Sequence, residues 1–467
     1  MLSYLLLLIP FFGALTTFLI KDEKLAKINA LFVSLATLIV SILGLFNTVE
    51  LSFTTPWISS LGSNFSLKLD GLSKMLCLLN ALSLPLIILS VKENSYQKAS
   101  NFWGLMLLMQ VGIMGVFLAS DALLFYFFWE LALIPAYFLS SIWGGEKRIQ
   151  VTIKFFIYTF AGSLIMLIGI IYLYLQTPGN HSFAIQDFYN LKLEAKQQNI
   201  VFALMFIAFA IKMPIFPLHT WQPDTYEQAP TPVTMVLSGV MVKMGIYAVL
   251  RWLIPIVPDA ANTHSNFVII LSVIGILYAS LIAIMQDDMK RLVAYSSIAH
   301  IGLMCATIFS NTHIGTTGVF VQMFNHGINI IGLWIVVDVI EKQLGTRKFS
   351  ELGGLAQKAP TLAIFFVVIA LANIALPLTN AFVGEFLMFS GLFKYNIWMA
   401  AIAGISIILA AVYTLNMVQK IFFGNTVLLT TNAIDIGWNL KFVLSIIVIL
   451  ILVLGVYPMP LLNLMGK

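Results

Sequence analysis

The stretch from Ala208 to Tyr247, AFAIKMPIFPLHTWQPDTYEQAPTPVTMVLSGVMVKMGIY, decides how the rest of the chain is read. It holds two apolar segments, each with a lysine near its middle, Lys212 and Lys243. A proline-rich link between them carries His219, Asp224 and Glu227. An ammonium group near the centre of a bilayer costs at least ~2.5 kcal/mol. The first segment also breaks its own backbone, because Pro214 and Pro217 remove amide donors within a turn of Lys212 and leave carbonyls free. At membrane depth such a break is tolerated only inside protein or against water. The stretch therefore points to a hydrated, protein-lined interior that holds a titratable lysine.

The whole chain agrees with a membrane setting. Of its 467 residues 60% are hydrophobic and 10% charged, where soluble domains carry about 25% charged residues. The formal charge of +5 is scattered over short loops, which argues against a nucleic-acid partner. Cys77 and Cys305 stand alone in apolar segments, without the spacing of a zinc, haem or iron–sulfur site. No phosphate-binding glycine motif occurs, so nucleotide chemistry is not expected in this chain. The N-terminus lacks a basic n-region and a small-residue cleavage site, and reads as a retained first helix.

Windows of ~20 apolar residues, the length that crosses ~30 Å of hydrocarbon, predict an all-α polytopic membrane protein of about 14 transmembrane helices. They fall near 2–20, 25–47, 71–91, 101–119, 121–141, 152–175, 200–218, 231–255, 266–286, 292–310, 314–341, 361–390, 397–423 and 439–465. Lys and Arg number roughly sixteen in the odd-numbered loops and roughly six in the even-numbered loops and tails. The positive-inside rule then puts both termini outside the cytoplasm. Helix 7 breaks beside Lys212 and helix 12 breaks at Pro377 to Asn380 just before Glu385. An odd offset of five helices between them suggests two inverted-topology five-helix repeats. The expected units are a three-helix segment (1–100), a first repeat (101–255, helices 4–8), a second repeat (256–425, helices 9–13) and a last helix (426–467).

Six ionisable residues fall near mid-depth by helix counting: Glu130, Lys212, Lys243, His300, His326 and Glu385. Singly, each acid or lysine is either half of a static ion pair or functional, and each histidine is either a bonded core residue or a relay. Together they form a row within the membrane plane. A carboxylate approaching Lys212 to ~4 Å would favour its charged form by up to ~4 kcal/mol at an effective dielectric of 20, and Glu130 is the natural partner. Asp70 and Asp121 read as helix caps. Lys154 is placed to snorkel, Arg251 lies near a helix end, and Asp338 is within reach of the rim. His219, Asp224 and Glu227 read equally as a proton mouth or a solvated loop, and Gln286 to Arg291 as an orienting loop.

The motifs FFWELALIPAYFL, AIKMPIFPLHTWQPD with QAPTP, KRLVAYSSIAHIG, MFNHGINIIGLW and NAFVGEFLMF resemble the antiporter-like subunits of respiratory complex I, themselves similar to large subunits of Na⁺/H⁺ antiporters. Within that family the chain most resembles the M type, equivalent to mitochondrial subunit 4, which has glutamate where the other types generally have lysine. Glu385 holds that position. The resemblance implies a proton-translocating subunit of NADH-quinone oxidoreductase in a bacterial inner membrane. Glu130 and Lys212 would form a coupled pair, Lys243 a central relay, and His300 and His326 a bridge to Glu385. It implies no cofactor here, with NADH, FMN, iron–sulfur clusters and quinone in partner subunits, and L-type and N-type subunits as neighbours. The family's glycine-rich break before FVGEF is replaced here by Ala375-Leu376-Pro377-Leu378-Thr379-Asn380, which predicts a stiffer break. The alternatives are a Na⁺/H⁺ antiporter subunit and a passive scaffold.

Overall fold

The computed structural model of the chain describes residues 2–46, 51–92 and 95–465; residue 47, the end of the second expected helix, lies outside them. Long apolar runs fold as helices because only a helix satisfies its own backbone in hydrocarbon. The first are α1 (Leu2–Leu19) and α2 (Glu23–Phe46). They are followed by α3 (Gly71–Ser90), α4 (Ala99–Leu118), α5 (Ala122–Trp143) and α6 (Arg148–Gln176). A short α7 (Ile185–Tyr189) lies in the next loop. Among the described residues twelve helices are long and apolar enough to cross a membrane.

The seventh and twelfth expected spans are the exceptions, and both are broken. The first is α8 (Ala195–Lys212) and α9 (Trp221–Gln228), separated by the two prolines. The break there leaves few orphans, since Met213 N–H reaches Phe209 O (2.8 Å), Ile215 N–H reaches Ala210 O (2.9 Å) and the Trp221 indole donates to Ile211 O (3.0 Å). Next comes one span, Thr231–Leu253. It comprises α10 (Thr231–Val236), a π-helical turn Leu237–Met241, α11 (Lys243–Ala248) and a second π turn Val249–Leu253. Then follow α12 (Pro258–Ile284), α13 (Met289–Phe309) and α14 (His313–Leu344). The second broken span is α15 (Pro360–Asn373) and α16 (Asn380–Tyr395). The last helices are α17 (Ile397–Phe422), α18 (Trp438–Val456) and α19 (Met459–Met465).

Ala375 and Leu378 in the second break have φ of 54° and 74°. The glycine-free sequence thus keeps a left-handed turn that costs L-residues roughly 1–2 kcal/mol each. A close neighbour braces it: a Cβ on Gly455 of α18 would lie 2.2 Å from Leu378 O, so only glycine fits there.

Several sequence expectations are corrected. The helix expected at 266–286 begins at Pro258, where proline suits a first helical turn. The one expected at 439–465 divides at Tyr457 and Pro458. The all-α membrane fold holds, with one addition outside the spans. Residues 51–69 form an antiparallel hairpin, β1 (Leu51–Ile58) and β2 (Ser63–Leu69), with Leu51 opposite Leu69 and Phe53 opposite Leu67. Its turn uses Gly62 at φ 66°, where a Cβ would meet His181 O at 2.6 Å.

That hairpin is fixed by a helix cap. Asp121 accepts from Leu123 N–H (3.0 Å) and Leu124 N–H (3.1 Å), as a cap should, and also from Ser63 Oγ (3.0 Å) and Asn64 N–H (2.9 Å). Asp70 caps α3 through Ser73 N–H (3.1 Å) and binds the Arg251 guanidinium through both carboxylate oxygens (2.7 and 2.6 Å). Burial alone would raise the Asp70 carboxyl, but the Arg251 charge and the Ser73 N–H outweigh it and hold it below the ordinary carboxylate value. A depressed native value means that the pair stabilises above the unfolded pKa of about 3.9 and that this is lost as pH falls through the native value. Asp70→Asn, which leaves a half-buried guanidinium without its carboxylate, is expected to cost about 1.5–3 kcal/mol. Thermal unfolding of the purified protein checks this, and an unchanged midpoint would show the pair to be inert.

α14 is buried all along its span, whereas α2, α17 and α18 turn much of their apolar surface outward. The loops alternate between two ends of the bundle. The hairpin and the Asp70–Arg251 pair lie at one end. At the other, Arg291 binds Asp224 (3.3 Å) and Glu227 (2.8 Å), Arg347 binds Glu227 (2.7 Å) and Asp288, and Lys290 binds Glu341 (2.7 Å).

Candidate functional site

The core of the site is the crossing of the Thr231–Leu253 span with α14. The two π turns widen that span, Val242 N–H reaching back to Leu237 O (3.1 Å) and Ile254 N–H to Val249 O (3.0 Å). π turns of this kind concentrate at functional positions. Glycines let the backbones close: a Cβ on Gly327 would lie 2.9 Å from Gly239 O. Lys243, wholly buried, is thereby set against His326. Its Nζ donates to Ser238 O (2.8 Å) and lies 2.8 Å from His326 Nδ1. An ammonium has only donors, so with Lys243 charged His326 Nδ1 accepts and a neutral ring carries its proton on Nε2.

From there the contacts continue across the bundle. The His326 and His300 rings are 5.5 Å apart, centre to centre. His300 Nδ1 lies 3.0 Å from Glu385 Oε1, and the Gln322 amide donates to the same oxygen at 3.4 Å. Asn325 ties α14 to the start of α16 through Asn380 O (2.7 Å). Neither His326 Nε2 nor His300 Nε2 has a protein partner among the described residues. A cavity of about 20 Å³, room for one water, is lined by His300, Glu385, Ser280 and Tyr413. Four of the six expected residues, Lys243, His326, His300 and Glu385, are thus brought together.

Glu130 and Lys212 are not in contact. Lys212 is buried at the C-terminal turn of α8, a position whose dipole favours a cation. Its Nζ finds no hydrogen-bond partner among the described residues and lies 5.5 Å from the centre of the Trp129 ring. Glu130 is half-buried near the middle of α5, beside a shallow apolar recess formed with Trp57, Tyr126, Phe127 and Ile134. Its Oε1 likewise has no protein partner.

The other candidates separate. His219 is not at a mouth; it turns inward between Phe216 and Tyr278, with ring centres 5.7 and 5.2 Å away. Asp224 and Glu227 sit on a short helix rather than in a solvated loop, held by Lys154 (2.8 Å), Arg291 and Arg347. Asp338 pairs with Lys342 (2.7 Å). Among the described residues no cluster of three or more His, Cys, Asp or Glu could hold a metal ion. Gln322 and the buried Lys74 were not foreseen. Gln322 is uncharged and gives no signal, and Lys74 follows a helix start where a lysine reads as snorkelling.

A row of buried acids and bases a few ångströms apart can exchange protons and can hold no substrate larger than water or a small ion. Residues 119–411 match the family described as NADH:quinone oxidoreductase/Mrp antiporter, transmembrane. The chain belongs to this family. Among its relatives, NADH-quinone oxidoreductase subunit M of Rickettsia prowazekii is 38% identical over 412 residues, covering 86% of this chain and 83% of the relative. The F(420)H(2) dehydrogenase subunit M of Methanosarcina mazei is 34% identical, covering 99% and 96%. A chain of respiratory complex I from Thermus thermophilus with bound NADH superposes with a TM-score of 0.92 at 29% identity, covering 99% of this chain and 98% of that one. Within the family the similarity is therefore to M-type antiporter-like subunits. The match spans both broken helices and all six row residues.

Proposed function

We propose that this chain is a proton-translocating subunit in the membrane arm of an NADH-quinone oxidoreductase. The observation that carries this is the succession Lys243, His326, His300, Glu385, buried at the centre of the bundle. One water between the two Nε2 atoms joins the histidines, and the pair then passes a proton from Lys243 to Glu385. Glu130 and Lys212 act at the input side. In the arrangement described they are apart, and their approach loads the lysine while their separation releases it. Each proton moved against 100 mV costs ~2.3 kcal/mol, so the drive comes from partner subunits.

The relatives' names support the division of labour. Two subunits called M belong to dehydrogenases with different electron donors, so donor chemistry resides in other chains. Flavin, iron–sulfur clusters and quinone are assigned to those partners, with L-type and N-type subunits flanking this one. The two broken helices sit at matching places in two inverted units, 101–255 and 256–425, between the segments 1–100 and 426–467. The ion-paired end faces the cytoplasm of a bacterium, with both termini on the outer side of its inner membrane.

Glu130→Ala and Lys212→Ala test the reading. Each assembled variant is expected to lose most of its coupled NADH:quinone turnover, measured with proton uptake in inverted vesicles. Normal turnover in both would remove the input pair. A Na⁺/H⁺ antiporter subunit is disfavoured by Glu385 at a position where lysine is expected. Co-purification with flavin and iron–sulfur subunits separates the two readings.

A further inference from the structure

Beside Glu385 lies a set of buried polar side chains that the row does not use. Ser296 is wholly buried on α13, one turn before His300. Its Oγ accepts from the Tyr413 hydroxyl of α17 (3.1 Å) and from the Asn373 amide at the last residue of α15 (3.2 Å). The Asn373 amide also reaches Thr414 Oγ1 (3.4 Å), and Asn373, Tyr413 and Thr414 are buried as well. Three helices thus converge on one serine hydroxyl. A phenylalanine would fill the place of Tyr413 without an oxygen to satisfy, and an unbonded buried hydroxyl costs roughly 1–3 kcal/mol.

At one end of this set, Tyr413 lines the cavity of about 20 Å³ that it shares with His300, Glu385 and Ser280. At the other, Asn373 is followed directly by the break at 374–379, where Ala375 and Leu378 are held at positive φ. Backbone strain of that kind collects in segments that switch. Ile374, the first residue of the break, borders the same cavity. A hydroxyl has one proton and two lone pairs. With its proton on Ser296, the Tyr413 oxygen turns only lone pairs to the cavity, so a water there gives one hydrogen to Tyr413 and has the other for Glu385. Ser280, whose Oγ has no protein partner among the described residues, supplies a third contact. Two to four polar partners are what a buried water needs.

We propose that Tyr413 is a positioning residue for Glu385, and that through Ser296 and Asn373 it ties the state of the helix break to the proton on Glu385. While Ser296 and Asn373 hold the phenol, the cavity water donates to the carboxylate, and such hydrogen bonds favour the ionised form. A shift of the break withdraws Asn373, loosens the phenol and removes that support, so Glu385 keeps its proton. Only hydrogen bonds are exchanged in this step. The inference rests on Glu385 carrying a proton as proposed above, but the contact it assigns exists whether or not the chain pumps.

The test is infrared difference spectroscopy of the assembled complex on acidification, in which the carboxylic-acid band of Glu385 is the one lost in Glu385→Gln. Tyr413→Phe keeps the ring and loses the hydroxyl. It is expected to move that band to higher frequency, the direction taken when a carboxyl loses a hydrogen-bond donor, and to lower the protons moved per NADH. Ser296→Ala and Asn373→Leu change no group that lines the cavity, yet each is expected to move the band in the same direction. A band unmoved by Tyr413→Phe would overturn the positioning role. A band moved by Tyr413→Phe and by neither of the other two would overturn the tie to the break. A shifted band with an unchanged proton-to-electron ratio would keep the contact and sink the part played by Glu385 in release.

Discussion

Lys243→Met is expected to abolish proton translocation while leaving the subunit folded and assembled. Methionine matches the length of the lysine stem and fills the same apolar sleeve. It removes the group that reaches both Ser238 O and His326 Nδ1. Loss of a proton carrier at a required step slows it by on the order of a hundredfold. Coupled NADH:quinone turnover, followed with a pH-sensitive dye in vesicles, reads the effect. Lys243→Arg sharpens the test. The guanidinium keeps the positive charge and can still reach the carbonyl and the imidazole, yet it does not deprotonate in proteins. A purely electrostatic role would survive that change and a proton-carrying role would not, so full activity of Lys243→Arg would refute the relay.

Much of this site was legible because charge in an apolar helix is conspicuous. Glu130, Lys212, Lys243, His300, His326 and Glu385 could be found from hydropathy alone, and Pro214, Pro217 and Pro377 marked both backbone breaks. Pairing was less visible. Nothing in the sequence says that Asp70 meets Arg251, or that Lys212 lies against Trp129 rather than Glu130, since these are choices of tertiary packing. The hairpin at 51–69 escaped because its strands are short, half-polar and outside the apolar windows. The α9 segment read as a loop because Pro223 masks a helix start that in fact tolerates proline in its first turn. Gln322, whose Oε1 is buried without a protein partner among the described residues, gave no signal at all. An uncharged side chain becomes informative only when its polar atom is seen to lack a partner.

Glu385→Gln probes the other end of the row, and its expected outcome differs in kind. Glutamine keeps the shape and still accepts from His300 and Gln322, so the contact between α13, α14 and α16 persists. What glutamine lacks is a group that could take a proton from His300 and release it, the role proposed for Glu385. The cavity shared by His300, Glu385, Ser280 and Tyr413 makes Glu385 the point where the row meets a site large enough for water. Electron transfer in the partner subunits is therefore expected to continue, while the protons moved per NADH fall by this subunit's share. A passive ion-pair staple predicts the reverse pattern: stability would drop as the charge interaction is lost, with the stoichiometry of the remaining complex unaltered. Measuring the proton-to-electron ratio alongside thermal unfolding separates these, because a carboxylate that only holds helices together has no reason to change the ratio. An unaltered ratio in Glu385→Gln would place the release step elsewhere and leave His300 as the last member of the row.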